Sequence, residues 1–293
     1  MRIANAGRLY VVATPIGNLG DLAPRAREVL AECALIAAED TRHTGALLRH
    51  FGIQTAMLSL HDHNELRRTP ELIAQLESGA SIALVSDAGT PAISDPGFDL
   101  VRAAAAAGIE IVAVPGPCAA VAALSIAALP TDRFCFEGFL PARRAARRAR
   151  LEELAAEPRT LVFYESPHRV REMLEDCAAS LGAARSATLA REITKLHETA
   201  YRGSLCELAQ RAAEEADLGR GEIVLVVAGA APRASAGEGG ADGHGGALDR
   251  VLGPLLAELP LKQAARLAAQ IAEVRDNEAY KRALQLKQAY GAP

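Results

Sequence analysis

Three short apolar segments run directly into loops rich in glycine and proline, and this pattern constrains the fold most. The segments are Leu9–Ala13, Ser81–Ser86 and Glu110–Val114, and their loops lie at 14–21, 86–97 and 115–119. Apolar strands of this kind, alternating with helical patterns at Pro24–Ala37 and Phe98–Ala107, predict a parallel sheet covered on both faces. Ligands bind beyond the carboxyl ends of such strands. The three loops therefore predict a binding site.

The second third of the chain predicts a fold of the same class. Its strands are expected at Thr160–Tyr164, Ser186–Ala190 and Glu222–Ala228, with helices at about 168–181 and 204–216. A length of 293 residues suggests roughly two domains. We predict an α/β domain at 1–120, a second at 121–232, a flexible Gly-rich linker at 233–247 and a helical domain at 248–293. The last domain shows three short helical patterns that resemble a helix–turn–helix unit.

The net charge of −4 excludes a uniformly basic protein that coats nucleic acid, although it leaves room for a local basic patch. Lys occurs only four times, so 28 of the 32 basic residues are Arg, which we attribute to codon bias.

The five cysteines show no C-x-x-C spacing, which favours a reducing cytoplasm. The apolar stretch Cys118–Pro130 is too short to span a membrane, and no signal peptide is expected. A cytoplasmic protein without membrane contact is predicted.

The loop S-D-A-G-T-P-A-I-S-D-P-G at 86–97 has the most distinctive composition. Its Asp–Ala–Gly turn follows a buried strand and exposes backbone groups that can hydrogen-bond an adenine or an amino acid. The alternative is a structural Ω-loop.

In the loop at 14–21, Gly17 and Gly20 allow close backbone approach. It lacks G-x-G-x-x-G, so a dinucleotide site is weakly supported; a plain strand–helix turn is the alternative.

Four polar clusters could add chemistry. A-E-D-T-R-H-T at 38–44 and L-H-D-H-N-E at 60–65 hold potential metal ligands, but their spacing is not H-E-x-x-H. Polar loop structure or RNA contact is favoured, and no metal is predicted. Y-E-S-P-H-R at 164–169 and A-R-E-I-T-K at 190–195 either face the same cleft or form ordinary charged turns.

An arginine run lies at Pro141–Arg150. On a helix, Arg143 with Arg147 and Arg144 with Arg148 form like-charged i,i+4 pairs, which destabilise the helix unless an anion is present. A phosphate backbone is the expected partner. The alternative is a solvated helix start that nearby glutamates neutralise.

The loop motifs together resemble one family. The segments are LYVVATPIGNLGDL, AAEDTRHTGALL, LHDHNE, ALVSDAGTPAISDPG, VPGPCAA, LPTDRFCFEGFLP, TLVFYESPHR and AREITKLHET. They are similar to the ribosomal RNA small-subunit methyltransferase I family of the tetrapyrrole-methylase superfamily. The resemblance covers about residues 8–230, and the C-terminal segment also resembles that family's helical domain. It implies two α/β domains with a methyl-donor cleft between them, plus a small C-terminal helical domain.

The resemblance also implies a cofactor, a substrate and partners. The family uses S-adenosylmethionine and methylates the ribose 2′-hydroxyl of a cytidine in the decoding region of 16S ribosomal RNA, within the 30S subunit; its superfamily members are usually homodimers. Matched by motif, the donor site comprises Pro15, Gly17, Asp87, Ala88, Gly89, Thr90, Pro91, Cys118, Ala119, Tyr164, Glu165, Ala190 and Arg191. The second loop reads D-A-G-T-P instead of the superfamily's usual G-D-P, which fits the ribosomal RNA branch.

A ribose hydroxyl loses its proton during methylation, so a general base would help. Asp95, Glu165, His168, Glu192 and His43 are candidates, and our hypothesis places Glu165 nearest, with Glu192 or His43. The expected RNA-facing residues are Arg143, Arg144, Arg147, Arg148, Lys262, Arg266, Lys281 and Arg282. Three alternatives stay open: a methylase of a corrin or siroheme precursor, an RNA-binding module without activity, and a knotted 2′-O-methyltransferase.

Overall fold

A computed structural model describes residues 7–231, 245–272 and 274–290. The chain divides after Gly229 into two compact units, each described here by itself. The described part of the first unit contains two five-stranded sheets with helices packed on them. The described part of the second contains three helices. Two α/β parts followed by helices confirm the predicted fold class.

The first sheet is entirely parallel, in the order β3-β2-β4-β1-β5. Its strands are β1 Arg8–Val12, β2 Leu35–Ala38, β3 Met57–Ser59, β4 Ile82–Val85 and β5 Glu110–Val114. Strand β1 lies between β4 and β5. Because parallel strands end at the same edge, the three Gly/Pro loops that follow these strands lie side by side.

Helices cover both faces of this sheet, as the apolar strands predict. They are α1 Pro24–Glu32, α2 Thr41–His50, α3 Glu65–Glu77 and α4 Phe98–Ala106. Leu30 of α1 and Leu48 of α2 pack in one core, and Leu72 of α3 and Leu100 of α4 pack in the other. Each Å² of apolar surface that is buried contributes about 25 cal/mol of stabilisation, so both layers stabilise the fold.

The prediction of one helix over Pro24–Ala37 is wrong. Helix α1 ends at Glu32, and β2 follows at Leu35–Ala38 between β3 and β4. Ala37 and Ala38 favour a helix intrinsically. Both are fully buried in the middle of the sheet, where tertiary packing outweighs helix propensity.

The second sheet has the order β6-β7-β10-β8-β9. Its strands are β6 Phe134–Phe139, β7 Thr160–Glu165, β8 Ser186–Arg191, β9 Thr199–Ser204 and β10 Ile223–Val227. Only β6 and β7 pair in parallel, so the prediction of a second sheet of the same parallel class is wrong. The connection at 192–198 is too short for the crossover that parallel pairing needs.

One face of the second sheet carries α5 Ala119–Ile126, and the other carries three helices. These are α6 Arg144–Glu153, α7 Val170–Leu181 and α8 Leu205–Glu214. The domain boundary proposed at residue 120 falls inside α5. Ala123 of that helix packs with Val162 and Val226 of the second sheet.

The second unit contains α9 Gly245–Glu258, α10 Leu261–Ile271 and α11 Asp276–Tyr290. Leu252, Ala268 and Ala279 are buried together where the three helices meet. Most of the predicted linker lies outside the described residues, but its last three, 245–247, belong to α9. Among the residues that the structure describes, we find no helix with the length and apolar character needed to span a bilayer.

Candidate active site

Hydrogen bonds join the three loops at the carboxyl edge of the first sheet. The backbone groups of Thr14 and Gly89 bond reciprocally, at 2.9 and 3.0 Å. The Thr14 hydroxyl donates to the Ser86 carbonyl at 3.1 Å, and the Thr90 hydroxyl donates to the Pro117 carbonyl at 3.1 Å. In the loop at 86–97, Ala92 and Ser94 adopt left-handed backbone conformations, each with a φ of 65°. Such conformations cost about 1–3 kcal/mol per residue and are common at functional sites.

These loops form one wall of a cavity of ≈ 320 Å³, and the second sheet forms the other. The volume lies in the range of small-molecule sites. Eight of the predicted donor residues line it: Asp87, Ala88, Gly89, Thr90, Cys118, Ala119, Tyr164 and Glu165. Ten further residues complete the lining: Ile16, Glu39, Ile93, Ser94, Asp95, Phe139, Ile193, Glu222, Ile223 and Val224.

The other predicted donor residues lie beside the cavity rather than in its lining. Pro15, Pro91 and Ala190 are buried. Arg191 donates to the Arg220 carbonyl at 2.8 Å. Pro15 precedes the lining residue Ile16, and Ala190 pairs with the lining residue Val224.

Gly17 makes room for a side chain from the other half of the unit. A Cβ on Gly17 would lie 2.4 Å from Cγ of Lys195, and its φ of +148° also disfavours other residues. The Lys195 ammonium lies 3.0 Å from Glu192 and 3.3 Å from Glu222. Burial opposes this charge, but the two carboxylates outweigh burial and raise the pKa of Lys195. Lys195 was not predicted; its signal was that it is one of only four lysines among 32 basic residues.

Three carboxylates from the first sheet share the cavity wall. The Asp87 amide donates to Glu39 Oε2 at 3.1 Å, and the Asp40 amide donates to Asp87 Oδ1 at 3.1 Å. Burial and the nearby charge of Glu39 raise the pKa of Asp95 to about 6. Burial also raises the pKa of Glu39, with the charge of Asp87 acting in the same direction. Glu39 was missed as a site residue, although it directly follows a strand of the sheet.

Tyr164 connects the second sheet to the third loop. Its hydroxyl oxygen accepts a hydrogen bond of 3.1 Å from the Ala120 amide, in the first turn of α5. Burial, together with the nearby Cys118, raises the pKa of Tyr164 well above its usual value. The phenol therefore stays protonated at neutral pH and fixes the start of α5 against the second sheet.

The structure separates the three residues of the catalytic hypothesis. Glu165 lines the cavity, but its buried carboxylate accepts from the Ser166 amide at 2.7 Å and pairs with Arg169 at 3.0 Å. Glu192 lies outside the lining, where the Lys195 ammonium and the Glu222 amide bind it. His43 lies on an exposed part of α2, also outside the lining.

The arginine run has acidic partners that its own sequence does not reveal. Arg147 is fully buried, with its guanidinium 2.8 Å from the equally buried Asp176, so its expected role in RNA contact is wrong. Arg144 pairs with the same carboxylate at 2.9 Å and stays exposed. Arg143 is exposed, and Arg148 lies 3.9 Å from Asp176 with 47% of its side chain accessible. The exposed cations of this segment are therefore Arg143, Arg144 and Arg148.

In the C-terminal unit, Lys262, Arg266 and Lys281 are exposed. Arg282 instead pairs with Asp249 at 2.5 Å and connects α11 to α9. In the described part of the chain, no three His, Cys, Asp or Glu side chains converge to hold a metal ion.

Comparison with known proteins identifies relatives over most of the chain. The family model for tetrapyrrole (corrin/porphyrin) methylases matches residues 8–209, and that for the RsmI C-terminal HTH domain matches residues 242–287. The ribosomal RNA small subunit methyltransferase I of Pseudomonas aeruginosa is 54% identical, over 96% of this chain and 98% of its own length. The protein of the same name from Escherichia coli O157:H7 is also 54% identical, over 95% of each chain.

Solved structures share the fold at low sequence identity. The methyltransferase CobJ matches with a TM-score of 0.57 and 21% identity, over 78% of this chain and 96% of its own. A uroporphyrin-III C-methyltransferase from Thermus thermophilus, solved in complex with S-adenyl homocysteine, matches with a TM-score of 0.52 and 18% identity. That match covers 76% of this chain and 97% of the other.

Proposed function

The chain belongs to the ribosomal RNA small subunit methyltransferase I family of the tetrapyrrole methylases, and we propose that it is an S-adenosylmethionine-dependent ribosomal RNA methyltransferase. We further propose that the acceptor is the ribose 2′-hydroxyl of a cytidine in the decoding region of 16S ribosomal RNA. The relatives' names support a ribosomal RNA substrate of the small subunit. The motif resemblance supports the cytidine and the hydroxyl.

The charge of the cavity is the observation that carries the choice of donor. Among the described residues that line it, five are carboxylates and none is lysine or arginine: the five are Glu39, Asp87, Asp95, Glu165 and Glu222. S-adenosylmethionine carries a net positive charge at neutral pH, whereas the product left after methyl transfer does not. Negative side chains in a partly desolvated cavity therefore favour the donor over the product.

The loops of the first sheet supply the contacts for such a donor. Asp87, Ala88 and Gly89 line the cavity, and so do Cys118 and Ala119 at the start of α5, where the first amides of a helix have no intrahelical partner. When bound, the donor supplies an already activated methyl group. The protein has mainly to align the acceptor oxygen and remove its proton.

Asp95 is the carboxylate best suited to accept that proton. The carboxylate of Glu165 is already engaged by Arg169, and that of Glu192 by Lys195. Asp95 lines the cavity, no salt bridge is found for it among the described residues, and its pKa is raised to about 6. A base with a pKa near the working pH is the most effective. We therefore place Asp95 ahead of Glu165, Glu192 and His43.

RNA phosphates would be repelled by the cavity and must bind outside it. Arg143, Arg144 and Arg148 are exposed near β6, and Lys262, Arg266 and Lys281 are exposed on the C-terminal unit. We propose both groups as phosphate contacts. We also propose that the 30S subunit is the substrate, that the protein is a homodimer and that it is cytoplasmic. Light scattering tests the dimer.

The defining experiment offers one labelled donor to three acceptors. Tritiated S-adenosylmethionine is incubated with the protein and either 30S subunits, free 16S RNA or a tetrapyrrole, and the labelled nucleotide is then mapped. We expect label in RNA, on a cytidine, at a position that blocks alkaline cleavage of the adjacent phosphodiester bond. Label on a base or on the tetrapyrrole, or no label at all, would contradict the proposal.

A further inference from the structure

A β-bulge decides which face of the second sheet carries Phe139. The register between β6 and β7 shifts by one residue between Phe136 and Gly138. Beyond this shift Phe139 pairs with Tyr164, whereas an unbroken ladder would place Gly138 there. Paired residues point to the same face, and the two rings lie edge to face with centroids 5.7 Å apart. The bulge therefore directs Phe139 to the cavity.

Gly138 makes this bulge possible. Its φ is +63°, and a Cβ at this position would lie 3.1 Å from the Ser94 hydroxyl oxygen of the long first-sheet loop. A residue with a side chain would be strained here and would press on that loop. Bulges of this type commonly redirect a side chain beside an active site.

Phe139 is unusually exposed for an aromatic residue that lines a cavity. Its accessible fraction is 58%, and that of Ile93, which lines the same cavity, is 40%. Exposed apolar groups at the border of a polar cavity are typical of ligand contacts. Aromatic residues make up only 4% of this chain, so few rings are available to bind a planar group, and Phe139 is an accessible one.

The distribution of charge identifies the planar group. The carboxylates of the cavity exclude phosphates, while Arg143 follows Phe139 by four residues and is exposed. A nucleotide bound here would keep its phosphate near the start of α6 and bring its sugar and base toward the cavity. Proteins that act on single-stranded RNA commonly stack a splayed base on an aromatic side chain.

We propose that Phe139 stacks on the base of the nucleotide whose ribose is methylated. The assignment rests on the proposed function and deepens it, because it names the contact that holds the acceptor nucleotide. Phe139 is then a substrate-binding residue that orients the ribose without taking part in proton transfer.

The test compares F139A, F139Y and a control, F134A, with the wild-type protein. Phe134 lies at the other end of β6, is 44% exposed and does not line the cavity. Single-turnover methyl transfer is measured over a range of RNA concentrations, and binding of S-adenosylhomocysteine is measured by calorimetry. We expect F139A to raise the half-saturating RNA concentration roughly 5- to 150-fold, as the loss of one base stack predicts. F134A should stay within about threefold of wild type. F139Y keeps the ring and should recover most of the RNA affinity that F139A loses, while S-adenosylhomocysteine affinity changes by less than about twofold.

Two results would overturn the assignment while leaving the proposed function intact. One is an F139A protein that saturates with RNA like wild type. The other is an F139A protein that loses affinity for S-adenosylhomocysteine, which would mean that the ring stacks on the donor adenine. A wild-type protein that transfers no methyl group to RNA would overturn the proposed function together with this assignment.

Discussion

Replacing Asp95 with Asn should slow methyl transfer and stabilise the protein at the same time. The carboxylate lines the cavity, and burial together with the charge of Glu39 raises its pKa to about 6. Asn keeps the shape and the hydrogen bonding but cannot accept a proton. Positioned bases contribute ~10²–10⁴-fold, so the single-turnover rate at pH 8 should fall by that factor.

The pH dependence follows from the same pKa. Below pH 6 the wild-type carboxyl is protonated, so its rate at pH 5 should be about a tenth of its rate at pH 8. In D95N this acid limb should disappear. In the unfolded chain Asp95 releases its proton near pH 4, whereas in the folded protein it retains the proton up to about pH 6. Folding stability therefore falls as pH rises from 4 to 6, and D95N should be more stable at pH 7 by up to about 3 kcal/mol.

The assay is single-turnover transfer from labelled donor between pH 5 and 9, with urea unfolding at pH 4 and pH 7 on the same proteins. D132N serves as the control, because Asp132 is exposed and does not line the cavity. Its rate and stability should match wild type. A D95N rate within about threefold of wild type at pH 8, or an acid limb that persists in D95N, would refute the role of Asp95.

Four further predictions concern two arginines of α6 and two glycines beside the cavity. R147A should lower the free energy of unfolding by about 1–3 kcal/mol, because the buried Asp176 then loses its fully buried partner and keeps Arg144 as its closest cation. R148A should change it by less than ~0.5 kcal/mol and instead weaken RNA binding with a shallower salt dependence; urea unfolding and binding at several salt concentrations separate the two. G17A should destabilise the protein, and adding K195A should recover part of the loss in a double-mutant cycle, whereas strictly additive effects would contradict the contact. G138A should destabilise the protein by ~1–3 kcal/mol and raise the half-saturating RNA concentration. An unchanged half-saturating RNA concentration would contradict the role of the bulge in orienting the Phe139 ring.

Local sequence signals were sufficient for the carboxyl edge of the first sheet. Apolar strands that end in glycine and proline identified the loops after β1, β4 and β5. The donor residues within them came from the family resemblance, and six of those in these loops line the cavity. These signals are strong because both faces of a parallel sheet are buried, which makes each strand apolar throughout. Strand β2 escaped prediction because Ala37 and Ala38 have no β-branched side chains to mark it.

The remaining features depend on contacts between distant parts of the chain. The partner of Arg147 is Asp176, which lies on another helix, so no pattern within 141–150 could show that this arginine is buried. The same holds for Lys195 against Gly17, and for the antiparallel pairing of β10 with its two neighbours. In each case the contact is made with an element that is distant in the chain, and the local sequence does not determine where that element lies.

Charge is sorted by position in this protein, and the sorting explains why its total charge is uninformative. Among the described residues, the carboxylates that line the cavity on the side of the first sheet form no salt bridge. The cations near β6 include the buried Arg147 and the exposed Arg148. A cationic donor and a polyanionic acceptor must meet at one point, although the same field cannot favour both. An acidic cavity, with exposed arginines outside its lining, satisfies both requirements, because only the uncharged part of the acceptor nucleotide has to enter. The neutral ribose and base can then approach the donor while the phosphates remain outside.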